Sequence, residues 1–365
     1  MEHVTISYDP RAFLAWPFSH GLWAFSDGEV LAGFTRAPCA YEQPHDVQHW
    51  VIDPLSEQVT LRSTDGGRTW PADSLEVVAT HHELERAWFD GAIPAAPAVA
   101  PDWTSADFCM TAGFSVPPAR ARQAGYVQYS NDRGRTWNGP VAIPSLGFGH
   151  VQVKPHHVVR ADGVVLLFVT VARTDATDPY LYEKYGRRFV AVLASPDGGI
   201  TWRYLSSVLP TSADSRMIER YYGSPVLLPD GRILIALRCQ LDGTNAWPEI
   251  FESDDGGWSW RFISRVADWG GPTDLACLRD GRLVAIYGRR APPYGVRARI
   301  STDAGRTWEP ELVLRSDGGS HDLGYPRIAE LPDGDVIAVY YFNRADDTVQ
   351  CNGGVRHIAA TIFTP

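Results

Sequence analysis

The chain has 365 residues, is 44% hydrophobic and 21% charged, and carries a formal net charge of −10. That apolar content argues against a disordered chain, and no apolar run reaches the ~18–20 residues needed to cross a bilayer. An acidic chain with no basic run, in which Lys154 and Lys184 are the only lysines, argues against nucleic-acid or membrane partners.

In chain order, the first predicted hairpin is Asp27-Gly28 ahead of the β-rich run 29–34. A box follows: Ser63-Thr64-Asp65-Gly66-Gly67-Arg68-Thr69-Trp70. Related boxes recur at 130–137, 195–202, 253–260 and 301–308, each ending in Trp. Further hairpins fall between them, at Asp162-Gly163, Asp230-Gly231 and Asp280-Gly281, and Asp333-Gly334 comes after the last. A unit near 107–114 lacks the Asp-Gly but fits between the first two boxes. The box pattern S-x-D-x-G-x-T-W predicts a tight turn. Gly supplies positive φ, Asp accepts nearby amides, and Trp buries its ring between neighbouring units. Its role is to fold a sheet, not to perform chemistry. Six units of four short strands each predict an all-β, six-bladed β-propeller, a single domain over 1–365 whose N-terminal strand completes the last blade. Function then belongs on loops and inner-strand ends around the axis. The long stretches 37–58, 80–100 and 174–188 leave room for such loops.

The boxes and hairpins together resemble the sialidase (neuraminidase) superfamily with its BNR/Asp-box repeats. That resemblance implies a Tyr nucleophile paired with a Glu, an Asp acid/base and three arginines on a substrate carboxylate. A neutral Tyr avoids the repulsion that a carboxylate nucleophile would meet beside an anionic sugar. Leu323-Gly324-Tyr325-Pro326-Arg327, ahead of Asp333-Gly334, is similar to the segment bearing that Tyr, which makes Tyr325 the candidate nucleophile. Arg238 matches the second arginine and Arg297 the third. Asp53 in Ile52-Asp53-Pro54 matches the acid/base, and Arg36 resembles a position on the same rim. Two positions depart. Ala15-Trp16-Pro17 stands where the family has Arg-Ile-Pro, and Tyr222 stands at the spacing of the Glu, with Glu219 three residues earlier.

Other candidates come from the residues alone. Loop 42–53 holds His45 and His49 among acids, giving a possible proton-transfer or substrate-binding histidine, although no metal is expected. Trp16 and Trp50 could stack on a sugar face or simply pack. His20, Arg173, Asp274, Arg289, Arg290 and Arg344 add polarity to the predicted axis, while His81-His82 and His156-His157 are expected on the surface or rim. Five scattered cysteines without CxxC read as reduced, mostly buried thiols. There is no GxGxxG, P-loop, GxSxG or HExxH, so no cofactor is expected. Residues 1–17 show no secretion signal, which points to a cytoplasmic protein. The expected function is an exo-acting glycoside hydrolase on an acidic or polyhydroxylated sugar, with catalytic candidates Tyr325, Asp53, Tyr222 and Glu219. Arg36, Arg238, Arg297, His49 and Trp16 are the binding candidates. A uronic-acid lyase and a non-catalytic glycan- or protein-binding propeller are the alternatives.

Overall fold

The computed structural model describes residues 1–115, 124–172, 188–208, 218–241 and 245–365. Arg173 and residues 174–187 of the third long stretch lie outside these. Six antiparallel sheets succeed one another along the chain as the blades of a β-propeller. Blade one is built on Val30–Pro38, Glu57–Ser63 and Glu76–Thr80, with Ala12–Ala15 and Leu22–Ala24 both pairing Val30–Pro38. Blade two holds Cys109–Ser115, Ala124–Ser130 and Asn138–Ala142. Blade three runs His150–Val159, Val165–Ala172, Phe189–Ser195 and Arg203–Val208. Blade four runs Glu219–Leu227, Ile233–Gln240, Ala246–Ser253 and Arg261–Arg265. Blade five runs Thr273–Cys277, Leu283–Arg289, Gly295–Ser301 and Leu312–Arg315. Blade six takes Gly324–Glu330, Val336–Phe342 and His357–Phe363 from the C-terminal end and Glu2–Ser7 from the N-terminal end. The expected closure by the N-terminal strand is therefore present, with Glu2 opposite Ile362 and Thr5 opposite Ala359. Two blades depart from the expected four strands: among the described residues blade one shows five and blade two three.

The middle strands are covered on both faces, so they read as continuous apolar runs rather than alternating ones. Val165–Ala172 is buried throughout, and Ile233–Gln240 nearly so. The core lies between blades: Phe168 and Val192 of blade three pack with Ile235 and Leu237 of blade four.

The predicted turns form as the residue types dictate. In each Asp-Gly hairpin the Gly sits at positive φ, as at Gly231 (87°), where Leu228 N donates to Arg232 O at 2.8 Å. In the last box Asp303 accepts from Thr307 N (2.9 Å), Thr307 Oγ1 (2.6 Å) and Ser301 Oγ (2.8 Å). These bonds, the Thr307 hydroxyl foremost, hold its carboxyl down at about 2. Two of the box tryptophans staple their blade to the one before: Trp260 Nε1 donates to Ser206 Oγ (3.1 Å) and Trp308 Nε1 to Ser264 Oγ (3.0 Å).

Candidate functional site

Innermost strands carry the side chains that reach the axis, and three of them are bulged where they do so. The register shifts between Val153 and His157, between Tyr221 and Ser224, and between Gly324 and Arg327. Lys154, Tyr222 and Tyr325 fall in those intervals. A bulge bends a strand and re-aims a side chain, here away from the ladder and toward its neighbours across the axis. Tyr222 (φ 55°) and Tyr325 (φ 46°) both adopt the left-handed region, as does Trp16 (φ 61°). Non-glycine residues pay about 1–2 kcal/mol for that conformation, and such strain gathers at functional sites.

In blade one the innermost position is shared by Ala12–Ala15 and Leu22–Ala24, and the helical turn Pro17–His20 stands between them. Pro at the start of the turn presets its φ, and Gly21 (φ 107°) ends it. Gly33 lets the turn sit close, since a Cβ there would meet the His20 carbonyl oxygen at 2.7 Å. The turn places Phe18, fully buried, 4.6 Å from the His156 ring, 6.1 Å from Tyr222 and 6.4 Å from Tyr325.

Around this floor a cationic and aromatic cluster assembles. Arg238 Nη1 donates to the Tyr325 hydroxyl at 3.3 Å, and its buried Nε has no partner among the described residues. The Arg290 guanidinium lies 5.1 Å from the centre of the Tyr325 ring and donates to Tyr341 OH at 2.9 Å. Tyr341 donates in turn to Asp322 (2.6 Å), which Arg356 also holds at 3.1 Å. The rings of Tyr222 and Tyr325 meet edge-on at 5.9 Å, and Lys154 Nζ lies 5.1 Å from the Tyr222 centroid. Burial pulls the Lys154 ammonium down to about 7 against the opposing charge of Asp53. Burial pushes the Tyr222 phenol well up, and the neighbouring Tyr325 adds to this.

A second group stands at the rim. The short helix His49–Ile52 runs into Asp53–Leu55, so His49 and Asp53 share a face, with His49 Nδ1 3.3 Å from Asp53 Oδ1. The His49 ring lies flat on Trp16, centroids 4.8 Å apart and planes 5° apart. The hydrogen bond to Asp53 raises the His49 pKa above its ordinary value.

The structure thus brings Tyr325, Tyr222 and Arg238 together and joins Asp53, His49 and Trp16 beside them. Three candidates go elsewhere. Arg297 is buried and occupied by Glu311 (3.1 Å) and the carbonyls of Val296, Pro293 and Arg315. The arginine beside Tyr325 is instead Arg290, on the loop after Leu283–Arg289. Arg36 is paired with Glu57 at 2.7–2.8 Å. Glu219 is held by Arg188 through both oxygens (3.1 and 2.6 Å), not by Tyr325. His156, expected at the surface or rim, belongs to the interior, 4% exposed and bonded to Asp274, while His157 is half-buried against Trp103 and Phe108. Lys154 was missed by sequence reasoning, although one of only two lysines, lying in a strand, was a signal.

A model described as a BNR repeat-like domain matches residues 126–338, more than half of the chain. The chain belongs to that family. No curated protein matches this BNR-repeat protein. Among solved structures, a protein of unknown function from Dyadobacter fermentans is 25% identical, with 100% of this chain and 98% of that one covered and a TM-score of 0.75. The α-L-arabinanase of Penicillium chrysogenum, complexed with arabinobiose, is 14% identical over 100% and 98%, TM-score 0.61. A Hadza microbial sialidase is 15% identical over 96% of this chain and 66% of its own, TM-score 0.59. The last two share the sialidase-like propeller fold with this BNR-repeat protein.

Proposed function

We propose that this BNR-repeat protein is an exo-acting glycoside hydrolase on a sugar carrying an anionic group. The observation that carries the reading is the cluster in which Tyr325 takes a hydrogen bond from Arg238 beside Arg290, with Lys154 over the adjoining Tyr222 ring. Two arginines, and a lysine that an anion would hold protonated, gathered beside two strained tyrosines suit a carboxylate-bearing sugar whose reacting carbon sits against a hydroxyl. In this reading Arg238, Arg290 and Lys154 hold the anionic group and Tyr325 stabilises the oxocarbenium-like centre. The proton for the leaving oxygen comes from the Asp53–His49 rim. Glu219 is engaged by Arg188, so Tyr325 has no carboxylate partner among the described residues. An incoming water fits that arrangement better than a tyrosine nucleophile. Sialidase and arabinanase neighbours on the same fold support a carbohydrate substrate.

A second reading, elimination from a uronic-acid glycoside, is favoured by one observation: Lys154, with a pKa near 7, lies over Tyr222 and could serve as a base. Incubation with aryl glycosides, sialosides and uronic-acid oligosaccharides, reading aglycone and ultraviolet absorbance together, separates the two. Aglycone without absorbance is the expected result. New absorbance from an unsaturated product would replace hydrolysis by elimination, and saturable binding without any product would remove the enzyme reading.

A further inference from the structure

Asp53 and His49 stand together at the rim, and the geometry distinguishes their roles. One Asp53 oxygen is already the acceptor for His49 Nδ1. The imidazole plane is fixed by the Trp16 ring beneath it and its rotation by Asp53. A histidine that gives Nδ1–H to a carboxylate presents Nε2 as its working nitrogen. Here Nε2 has no partner among the described residues, and the side chain is 73% exposed. We propose that His49 is the group that protonates the departing oxygen, and that Asp53 is its positioning residue. The inference rests on the hydrolase reading and deepens it.

The step balances without a co-reactant beyond water. The Nε2 proton of the imidazolium passes to the glycosidic oxygen as the bond from that oxygen to the sugar carbon breaks, the electron pair leaving with the oxygen. The alcohol departs. Water adds to the sugar carbon and returns one proton to the neutral imidazole. The charged groups acting on His49 are Asp53 on its own segment, Asp322 from the loop before blade six and Lys154 from blade three. The Asp53 hydrogen bond and the two carboxylates favour the imidazolium, while partial desolvation and Lys154 oppose it. The balance leaves the pKa raised, which suits a donor that must be protonated near neutral pH.

The test uses the full chain and aryl glycosides of whichever sugar the panel shows to be cleaved, with a good leaving group (2,4-dinitrophenol) and a poor one (4-methylphenol). General acid catalysis is worth about 10²–10⁴-fold, and its loss is felt most by the poor leaving group. The expected result is that His49→Gln loses at least about tenfold more on the 4-methylphenyl substrate than on the dinitrophenyl one. In Asp53→Asn the basic limb of the kcat/KM profile moves to lower pH. Equal losses of His49→Gln on both substrates, with the leaving-group penalty appearing instead in Asp53→Asn, would hand the proton to Asp53 and overturn the proposal. A proton NMR titration of His49 needs no substrate. Its pKa should lie above 6.5 and drop in Asp53→Asn, and a value at or below 6.5 that ignores Asp53→Asn refutes the pairing. A wild-type protein that cleaves nothing on the panel is a different failure. It removes the hydrolase reading itself, and the donor role with it.

Discussion

Asp274 offers the sharpest test of how the propeller is held at its axis. It lies in Thr273–Cys277, the innermost strand of blade five, and is 2% exposed. Oδ1 accepts from Ser224 Oγ (2.6 Å) of blade four and Arg327 Nη1 (3.1 Å) of blade six, and stands 3.2 Å from His156 Nε2 of blade three. Oδ2 accepts from Ile328 N at 2.8 Å. Burial alone would raise this carboxyl, but Arg327, His156 and Ser224 outweigh it and hold it below the usual carboxylate range. Asp274→Asn keeps the volume, so no cavity forms. It leaves the Arg327 guanidinium without its counter-charge and turns an amide N–H₂ toward groups that were donating. Removing one member of a buried ion pair costs about 3–5 kcal/mol, a large share of the ~5–15 kcal/mol that holds a typical protein together. Equilibrium urea unfolding should show a much lower midpoint at unchanged slope. Asp90→Asn, in an exposed pair with Arg86 at 3.6 Å, should move it by no more than about 0.5 kcal/mol. If Asp274→Asn tracks that control, Asp274 does not tie four blades together and the reasoning fails.

Buried His20, His150 and His156 and half-buried His157 are pulled by desolvation from 6.5 down to about 3, 3, 4 and 4. They are neutral when folded, so below pH 6.5 the unfolded chain binds more protons. Stability is fully present above that pH and drains away as pH falls toward 4 and 3, at most about 1.4 kcal/mol per histidine per pH unit. A urea midpoint equal at pH 7.5 and 5.5 would contradict this. Gly324 has φ 100°, and a Cβ there would meet Gly288 Cα at 2.8 Å, whereas Gly281 (φ 88°) has open space around it. Gly281→Ala should therefore lose only the ~1–2 kcal/mol of backbone strain, while Gly324→Ala loses more and also displaces Tyr325. Similar midpoints for the two would rule out a steric role for the Gly288 contact. Arg238→Gln removes the donor on the Tyr325 hydroxyl and should cut kcat/KM about 10²-fold; a wild-type value would take Arg238 out of the site.

The blades were legible because their signals are local. Asp-Gly and the boxes fix turns through contacts within a few residues, and the same eight-residue logic repeats five times. Tyr325, Arg238 and the Asp53–His49 segment were also legible, each near a recurring turn. The rest of the site depends on what long-range packing does to short segments. Nothing in Ala15-Trp16-Pro17 announces that the innermost strand will break into a helical turn carrying Phe18 among the tyrosines. Arg297 and Arg290 differ in sequence by seven positions, but only the pairing of Gly295–Ser301 with Leu312–Arg315, which presents Glu311 to Arg297, decides which guanidinium is left for Tyr325. The rarity of Lys154 marked it, but the bulge that turns it toward Tyr222 has no short-range signature, so its place in the site was not legible.

The strand Glu2–Ser7 also sets a timetable. Among the described strands of the propeller it is synthesised before all the others, yet its hydrogen-bonding partner, His357–Phe363, follows them. Until then its edge and the flank of blade one are exposed in any nascent chain. Loop-closure entropy is largest for such a contact, so sealing the ring should be the slowest step in assembling the propeller. A circular permutant joined through these two strands, with new ends in an exposed box turn such as 254–256, would convert that late encounter into a local hairpin. It should close faster without altering a single residue around the axis.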